Sequence, residues 1–348
     1  MGEYAEVKKN GESKYWFRFP GTKDAEKTIC LLDSPEYGHG SRCIAITRQE
    51  EVEVEVPDTG HRPYFAVSAG SWHRILAERN LPVDGMNNFR DMGGYRTADG
   101  HHIKWGKLYR SDHIYNATPK GIAYLKGLGI HTIIDYRSRN ERMKYPNKII
   151  SPDVRTYCLD PSAHTAELAA QFTSSRDSED ENLVKKIIAQ KENGSLVNRY
   201  DMVMEQYHNF ACKDQSKEAF GQMLRIVADP KASAIVQHCR GGKDRTGFGT
   251  MVLLGILGVG KEDLVADYML TYHNRVARNQ VKMDIYRQFT QDPVVLDYLY
   301  SLIDTRPEFI EASYDAVMEE YGSFEAYARK ELAISREDLL QLRENYLE

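Results

Sequence analysis

The stretch His238-Cys239-Arg240-Gly241-Gly242-Lys243-Asp244-Arg245-Thr246-Gly247 brings a nucleophile, cations and an acid together within a few residues. A helix N-terminus and neighbouring cations favour a cysteine thiolate over the thiol, and the thiolate is the attacking form. Arg245 closes a Cys-x5-Arg spacing that starts at Cys239. From there it can return over a phosphate and grip two oxygens in its planar fork, which a lysine cannot do. Attack of sulfur on phosphorus would form a phosphocysteine and split hydrolysis into two displacements. The leaving oxygen then needs a proton, and Asp244, beside the clamp, is a candidate general acid. Lys243 adds a cation for a doubly charged phosphate, and the Thr246 hydroxyl is placed to hydrogen-bond Cys239 and help the sulfur leave. Gly241, Gly242 and Gly247 complete the expected phosphate-binding set, and His238 supports it. Taken singly, each residue has an ordinary reading, a buried cysteine or a solvated Lys-Asp-Arg turn; their combination carries the inference.

Such a loop needs a strand before it and a helix after it. Ala234-Ile235-Val236 is a short apolar run fit for a buried strand, and Gly247 to Leu257 is an apolar helix. The turn between them leaves unpaired N–H groups at a helix start, a ready anion site. The surrounding sequence alternates helix and strand signals, the rhythm of an α/β domain. Thr118-Pro119 opens a helix through Leu128, Gly129 stops it, and His131 to Tyr136 reads as a strand.

Upstream the pattern changes. Tyr15–Phe19, Thr28–Leu32, Cys43–Thr47, Glu51–Val56 and Tyr64–Val67 read as strands of a small antiparallel sandwich, followed by a short helix over Ser71–Arg79. The expected organisation is an N-terminal β-sandwich-like domain over residues 1–80 and an α/β domain over 81–348. Its fold class is a central sheet flanked by helices, with a small all-β domain in front. Residues 164–195 read as a polar insertion, either a solvated loop or a lid, and residues 264–348 as helical, with Ser335 and Asp338 forming a capping box.

The loop from His238 to Gly247 resembles the signature of the cysteine-dependent protein tyrosine phosphatase superfamily, and more closely that of its atypical bacterial tyrosine and lipid phosphatases. Asn88-Phe89-Arg90-Asp91-Met92-Gly93-Gly94-Tyr95, Leu108-Tyr109-Arg110-Ser111-Asp112, and Ile133-Ile134-Asp135-Tyr136-Arg137-Ser138 with Glu141 are similar to further motifs of that group. The resemblance spans roughly residues 80 to 348 and implies a phosphatase fold around the loop. It assigns the general acid to Asp244, although Asp160, Asp201 and Asp214 remain candidates for the mobile-loop acid of conventional members. It also implies that Asn88, Arg90 and Asp91 brace the loop. Asp135, with Arg137 nearby, is expected at the carboxyl end of a strand, paired with Lys243 or Arg245 or engaged in a purely structural ion pair. Arg240 departs from the small or aromatic residue usual after the cysteine and adds positive charge.

A lysine within the loop resembles phosphoinositide phosphatases, so the substrates implied are phosphotyrosine, phosphoserine or phosphothreonine proteins and phosphoinositides. The alternative is a phosphate-binding pseudophosphatase or scaffold that docks a partner through the β domain. With 28% charged residues and a net charge of −5, the chain has no overall basic field, which argues against nucleic acid as partner. No apolar run is long enough for a membrane span. No metal-ligand spacing and no cofactor motif stands out, so neither metal nor cofactor is expected. Five scattered cysteines without a CxxC pair suggest reduced thiols in a cytoplasm, although a secreted protein stripped of its signal peptide would read alike.

Overall fold

A computed structural model describes residues 5–35, 40–163, 178–198 and 200–348. The chain begins with two antiparallel sheets. One has the order β1 (Glu6–Lys9), β2 (Lys14–Arg18), β5 (Glu51–Glu55); the other has the order β4 (Ser41–Thr47), β3 (Lys27–Leu32), β6 (Tyr64–Ala69), β7 (Trp72–Leu76). Alternate residues turn inward, and Val7, Tyr15, Phe17 and Val54 of one sheet share a core with Ile29, Leu31, Phe65 and Val67 of the other. Phe17 meets Phe65 edge to face at 4.9 Å.

Two readings of this region change. Ser71–Arg79 does not form a helix: β7 pairs with β6 across the two-residue turn Gly70-Ser71, with Ala69 opposite Trp72 and Gly70 at φ +60°. That left-handed glycine suits the tight hairpin, and pairing overrides any local helical preference. Strand β1, which precedes the first expected strand, adds an edge to β2.

The second sheet system has the order β11 (Arg155–Cys158), β10 (Thr132–Asp135), β12 (Ile235–His238), β9 (Leu108–Ser111), β8 (Arg90–Asp91). The first four strands run parallel and β8 closes the edge antiparallel to β9. Neighbouring residues of a strand bury on opposite faces. Tyr109, Ile133 and Val236 pack toward α1 (Pro119–Gly127), and Leu108, Ile134 and Ile235 toward the main helical layer.

Those helices are α2 (Arg139–Lys144), α3 (Glu179–Glu192), α4 (Asp201–Cys212), α5 (Asp214–Ala228), α6 (Asp244–Ile256), α7 (Lys261–Arg287), α8 (Pro293–Ile303), α9 (Pro307–Tyr321), α10 (Phe324–Glu331) and α11 (Arg336–Tyr346). Their starts follow local chemistry: Thr118 accepts from the Gly121 N–H, and Ser335 with Asp338 makes a reciprocal capping box. Of the polar insertion, residues 164–177 lie outside the described residues, and the remainder contains α3. Leu183, Val184 and Ile187 of α3 pack on Met283 and Tyr286 of α7 and on Val295 and Leu299 of α8. Among the described residues no helix is long and apolar enough to cross a membrane.

Candidate active site

Strand β12, buried along its length, runs between β10 and β9 and delivers His238 to the carboxyl edge of the sheet, in register with Asp135 and Ser111. This is the edge at which open α/β sheets bind ligands. The chain then turns through Cys239 to Lys243 and enters α6 at Asp244. Gly242 makes the turn possible. It sits at φ +64°, and a Cβ there would stand 2.4 Å from the Ser111 carbonyl oxygen.

Every carbonyl from Cys239 to Gly242 is engaged, the first by the neighbouring His238 ring and the other three from outside the loop. His238 Nδ1 donates to Cys239 O at 3.1 Å, and the His113 N–H donates to Arg240 O at 3.2 Å. Gly241 O accepts from Arg275 Nη1 at 2.5 Å and Asn88 Nδ2 at 3.1 Å. Gly242 O accepts from Arg110 Nη2 at 2.9 Å and Asn88 Nδ2 at 3.1 Å. With the oxygens held outward, the N–H groups of Arg240 through Asp244 turn to the inner side, where no protein acceptor meets them among the described residues. Such a ring of amides at a helix start is an anion cradle.

Behind it lies a buried ionic brace. Asp267 of α7 binds Arg90 Nε at 3.1 Å and Arg110 Nη1 at 2.5 Å and accepts from the Tyr95 hydroxyl at 3.2 Å. Burial works to raise the Asp267 carboxyl, but Arg90 and Arg110 overcome it and hold the group far below the usual carboxylate range. Arg90 is drawn down to about 10 by burial and by Arg110. Arg90 also donates to Asn88 Oδ1 at 2.6 Å, which aims the Asn88 amide at the two loop carbonyls.

Arg245 is fixed before any ligand arrives. Its two terminal nitrogens meet Glu141 Oε2 at 2.5 Å and Oε1 at 2.9 Å, and one also reaches the Tyr136 carbonyl at 3.1 Å. Glu141 in turn belongs to the capping box with Ser138 that opens α2. Asp135 therefore does not serve as the partner of Lys243 or Arg245. It pairs with Arg137 through 2.9 and 2.7 Å contacts and receives the Asn147 amide at 3.1 Å. Burial opposes its charge, yet His238 and Arg137 hold it down at about 2. Burial also pulls the His238 imidazole below its ordinary value, against the pull of Asp135. Since its Nδ1–H is donated to Cys239 O, Nε2 accepts from Asn147 at 3.0 Å.

Cys239, at the start of the loop, is 2% exposed, and Arg245 is equally enclosed. Asp244 stands at the first position of α6 with its side chain 25% exposed, accepting from the Tyr207 hydroxyl at 2.7 Å. Tyr207 is linked in turn to the Tyr268 hydroxyl at 2.5 Å. Lys243 reaches Asp304 O at 2.6 Å and Asp244 Oδ1 at 3.4 Å. The expected bond from Thr246 to Cys239 is not formed. The Thr246 hydroxyl is buried and without a partner among the described residues. Gly247 lets α6 approach α7, since a Cβ there would press on the Tyr268 ring at 3.0 Å.

Arg240 does not face the loop freely: Glu179 at the start of α3 binds it at 2.7 Å, and it lies over the Tyr145 ring at 5.4 Å. Of the rival acids, Asp201 and Asp214 are exposed in the first turns of α4 and α5. Asp160, just past β11, accepts from the Ser162 N–H at 2.9 Å. Asp91 of β8 faces away from the loop and binds Arg62 of the β region at 2.5 Å. Sequence reasoning gave no role to Glu141, Tyr207, Asp267 or Arg275. Glu141 was within reach, as the third residue after Ser138 in a quoted motif, whereas the others come from helices distant in sequence and carry no local signal.

Residues 81–348 match the tyrosine phosphatase family. A Cupriavidus necator protein whose name assigns it provisionally to the tyrosine-protein phosphatases is 27% identical over 274 residues, 78% of this chain and 90% of the relative. Triple specificity protein phosphatase PtpB of Mycobacterium tuberculosis is 26% identical over 270 residues, 73% of this chain and 94% of that protein. A Nostoc commune tyrosine-protein phosphatase shares 36% identity over a 58-residue stretch, 17% of this chain and 20% of the relative. With the match covering most of its length, this chain belongs to the tyrosine phosphatase family.

Proposed function

We propose that the chain hydrolyses phosphate monoesters through a phosphocysteine on Cys239. The carrying observation is the tethering of all four carbonyls from Cys239 to Gly242, which leaves the amides of the loop that begins at Cys239 facing inward. In this reading the amides and Arg245 hold the nonbridging phosphate oxygens. The Cys239 thiolate attacks phosphorus, the ester P–O bond breaks, and Asp244 gives its proton to the departing oxygen. Water, giving a proton back to Asp244, then attacks the phosphocysteine, the S–P bond breaks, and phosphate and thiolate are released.

The Tyr207 hydroxyl orients the Asp244 carboxylate, and Lys243 adds charge beside it. Thr246, buried without a partner, is the group free to donate to the departing sulfur. Glu141 supports the clamp by presenting Arg245 in a fixed plane, so little reorganisation is left for the transition state.

On substrate, the resemblance to a triple-specificity phosphatase favours a broad range, with phosphotyrosine first and phosphoserine, phosphothreonine or phosphoinositides accepted. Phosphate release should be measured for wild type, Cys239→Ser and Asp244→Asn on a phosphotyrosine peptide and a phosphoinositide panel with EDTA present. Wild type alone should turn over fully, with Asp244→Asn slowed most on poor leaving groups. Full activity in Cys239→Ser would defeat the mechanism. Asp244→Asn turning over like wild type on every leaving group would move the acid to Asp160, at the same sheet edge.

A further inference from the structure

We propose that Arg62, from the N-terminal β region, is a positioning residue for the phosphate loop, acting through Asp91 and the two-residue strand β8. Arg62 sits between β5 and β6, is 8% exposed, and points out of its own sandwich. Its Nη1 meets Asp91 Oδ2 at 2.5 Å, and its Nη2 donates to Glu78 O at 2.7 Å. The guanidinium lies over the rings of Tyr64, at 4.9 Å, and Trp105, at 5.9 Å, within an apolar seam that also holds Leu32, Ile75 and Ala77.

Successive side chains of a strand face opposite ways. In β8 that alternation splits two tasks. Arg90 turns to the loop side, where it binds Asp267 and orients Asn88 against Gly241 O and Gly242 O. Asp91 turns to the β region, where Arg62 takes one carboxylate oxygen and the N–H groups of Gly93 and Gly106 are held at 2.8 Å each. The backbone of β8 is tied on the same side, with Asp91 N donating to Arg79 O at 2.9 Å and Arg79 Nη1 to Asp91 O at 3.0 Å. A strand of two residues has only two register pairs with β9, to which a bridge between Asn80 and Arg90 and the bonds Leu81 N to Phe89 O and Met92 N to Leu108 O are added. On the side facing the β region its placement depends on the Asp91 anchor, and displacement there passes through Arg90 and Asn88 to the loop carbonyls.

The match to the tyrosine phosphatase family starts at residue 81, so this anchor comes from outside the matched part of the chain. The β region thus contributes to the precision of the phosphate loop. The inference rests on the phosphatase reading only for its kinetic readout; the geometry of the anion cradle can be probed without turnover.

The test is tungstate binding by calorimetry, with kcat and thermal midpoint alongside, for full-length wild type, Arg62→Met, Arg62→Lys and Asp91→Asn. Misplacement of catalytic groups by a fraction of an ångström predicts about a tenfold rise in tungstate Kd and a similar fall in kcat for Arg62→Met. Arg62→Lys should recover part of both, and Asp91→Asn should match Arg62→Met. Wild-type Kd and kcat in a folded Arg62→Met with a lowered midpoint would reduce Arg62 to a structural staple and overturn the proposal. If Arg62→Met does not fold, the same criteria apply to Asp91→Asn. Wild type that binds tungstate but releases no phosphate would sink the phosphatase reading alone, leaving the Kd comparison to decide this one.

Discussion

The floor of the phosphate loop and its mouth are built in opposite ways. Beneath the loop, Arg90, Arg110 and Asp267 are at most 1% exposed, and the Arg245–Glu141 pair at most 2%. At the mouth, Arg240 is 23% exposed on a Glu179 that is 6% exposed, and Lys282 meets Asp180 with both about a fifth exposed. Buried pairs cannot be broken cheaply, because a stranded charge in the interior is severely penalised, whereas a cation that keeps some water exchanges its partner for another anion at lower cost. The floor is thus fixed geometry. The mouth lies closer to solvent.

The largest effect is expected at Asp267. Asp267→Ala leaves Arg90 and Arg110 facing each other unpaired, at a cost of about 3–5 kcal/mol for breaking such a buried arrangement. Chemical denaturation should show that loss, and a wild-type midpoint would remove the floor from the account.

Glu141→Gln comes next. It keeps the size of the side chain and its reach to the Ser138 N–H but ends the paired grip on Arg245. Turnover should drop on the order of a hundredfold, the scale set by misplacing a catalytic group, while Km for small aryl phosphates moves less. The same pair has a pH signature. Burial raises the Glu141 carboxyl, but Arg245 outweighs it and keeps the folded value below the ordinary 4.5. Its stabilisation is therefore present above the unfolded pKa and is lost as pH falls through the lower folded value. Acid titration of stability should show this limb in wild type and a weaker one in Glu141→Gln.

Glu179→Gln should do least. Stability should fall by about 1–2 kcal/mol, because Glu179 is itself buried and also accepts from the Tyr145 hydroxyl, although Gln keeps its size. Freed of its carboxylate, Arg240 should lower Km for highly charged substrates, an effect erased by raised salt. An unchanged Km at low salt would mean that Arg240 does not face the incoming anion.

How much of this was legible in the sequence follows the range of each interaction. Strand β12, helix α6 and the loop between them were readable because their pattern is contiguous, as were the caps at Thr118 and Ser335, each made within a few residues. The hairpin that replaced the expected helix at Ser71–Arg79 carried a local cue, the Gly70-Ser71 pair, but β7 takes its shape from β6. The motif Asn88 to Asp91 marked a brace without revealing that its two charged residues face different parts of the molecule. Asp267, Tyr207 and Arg275 lie on helices far along the chain, and only the packing of α4, α6 and α7 brings them to the loop. Asp135 was placed correctly at a strand end with two pairings left open, a loop cation or a structural ion pair, and the structure takes the second, because Arg137 two residues on reaches it first.

The most direct test of the account is acid quenching of wild type, Asp244→Asn and Cys239→Ser during turnover of an aryl phosphate, followed by intact-mass and peptide mapping. The account predicts one phosphoryl group on Cys239 in the first two proteins and none in Cys239→Ser. Turnover with the phosphoryl group on another residue, or an adduct that survives in Cys239→Ser, would contradict it.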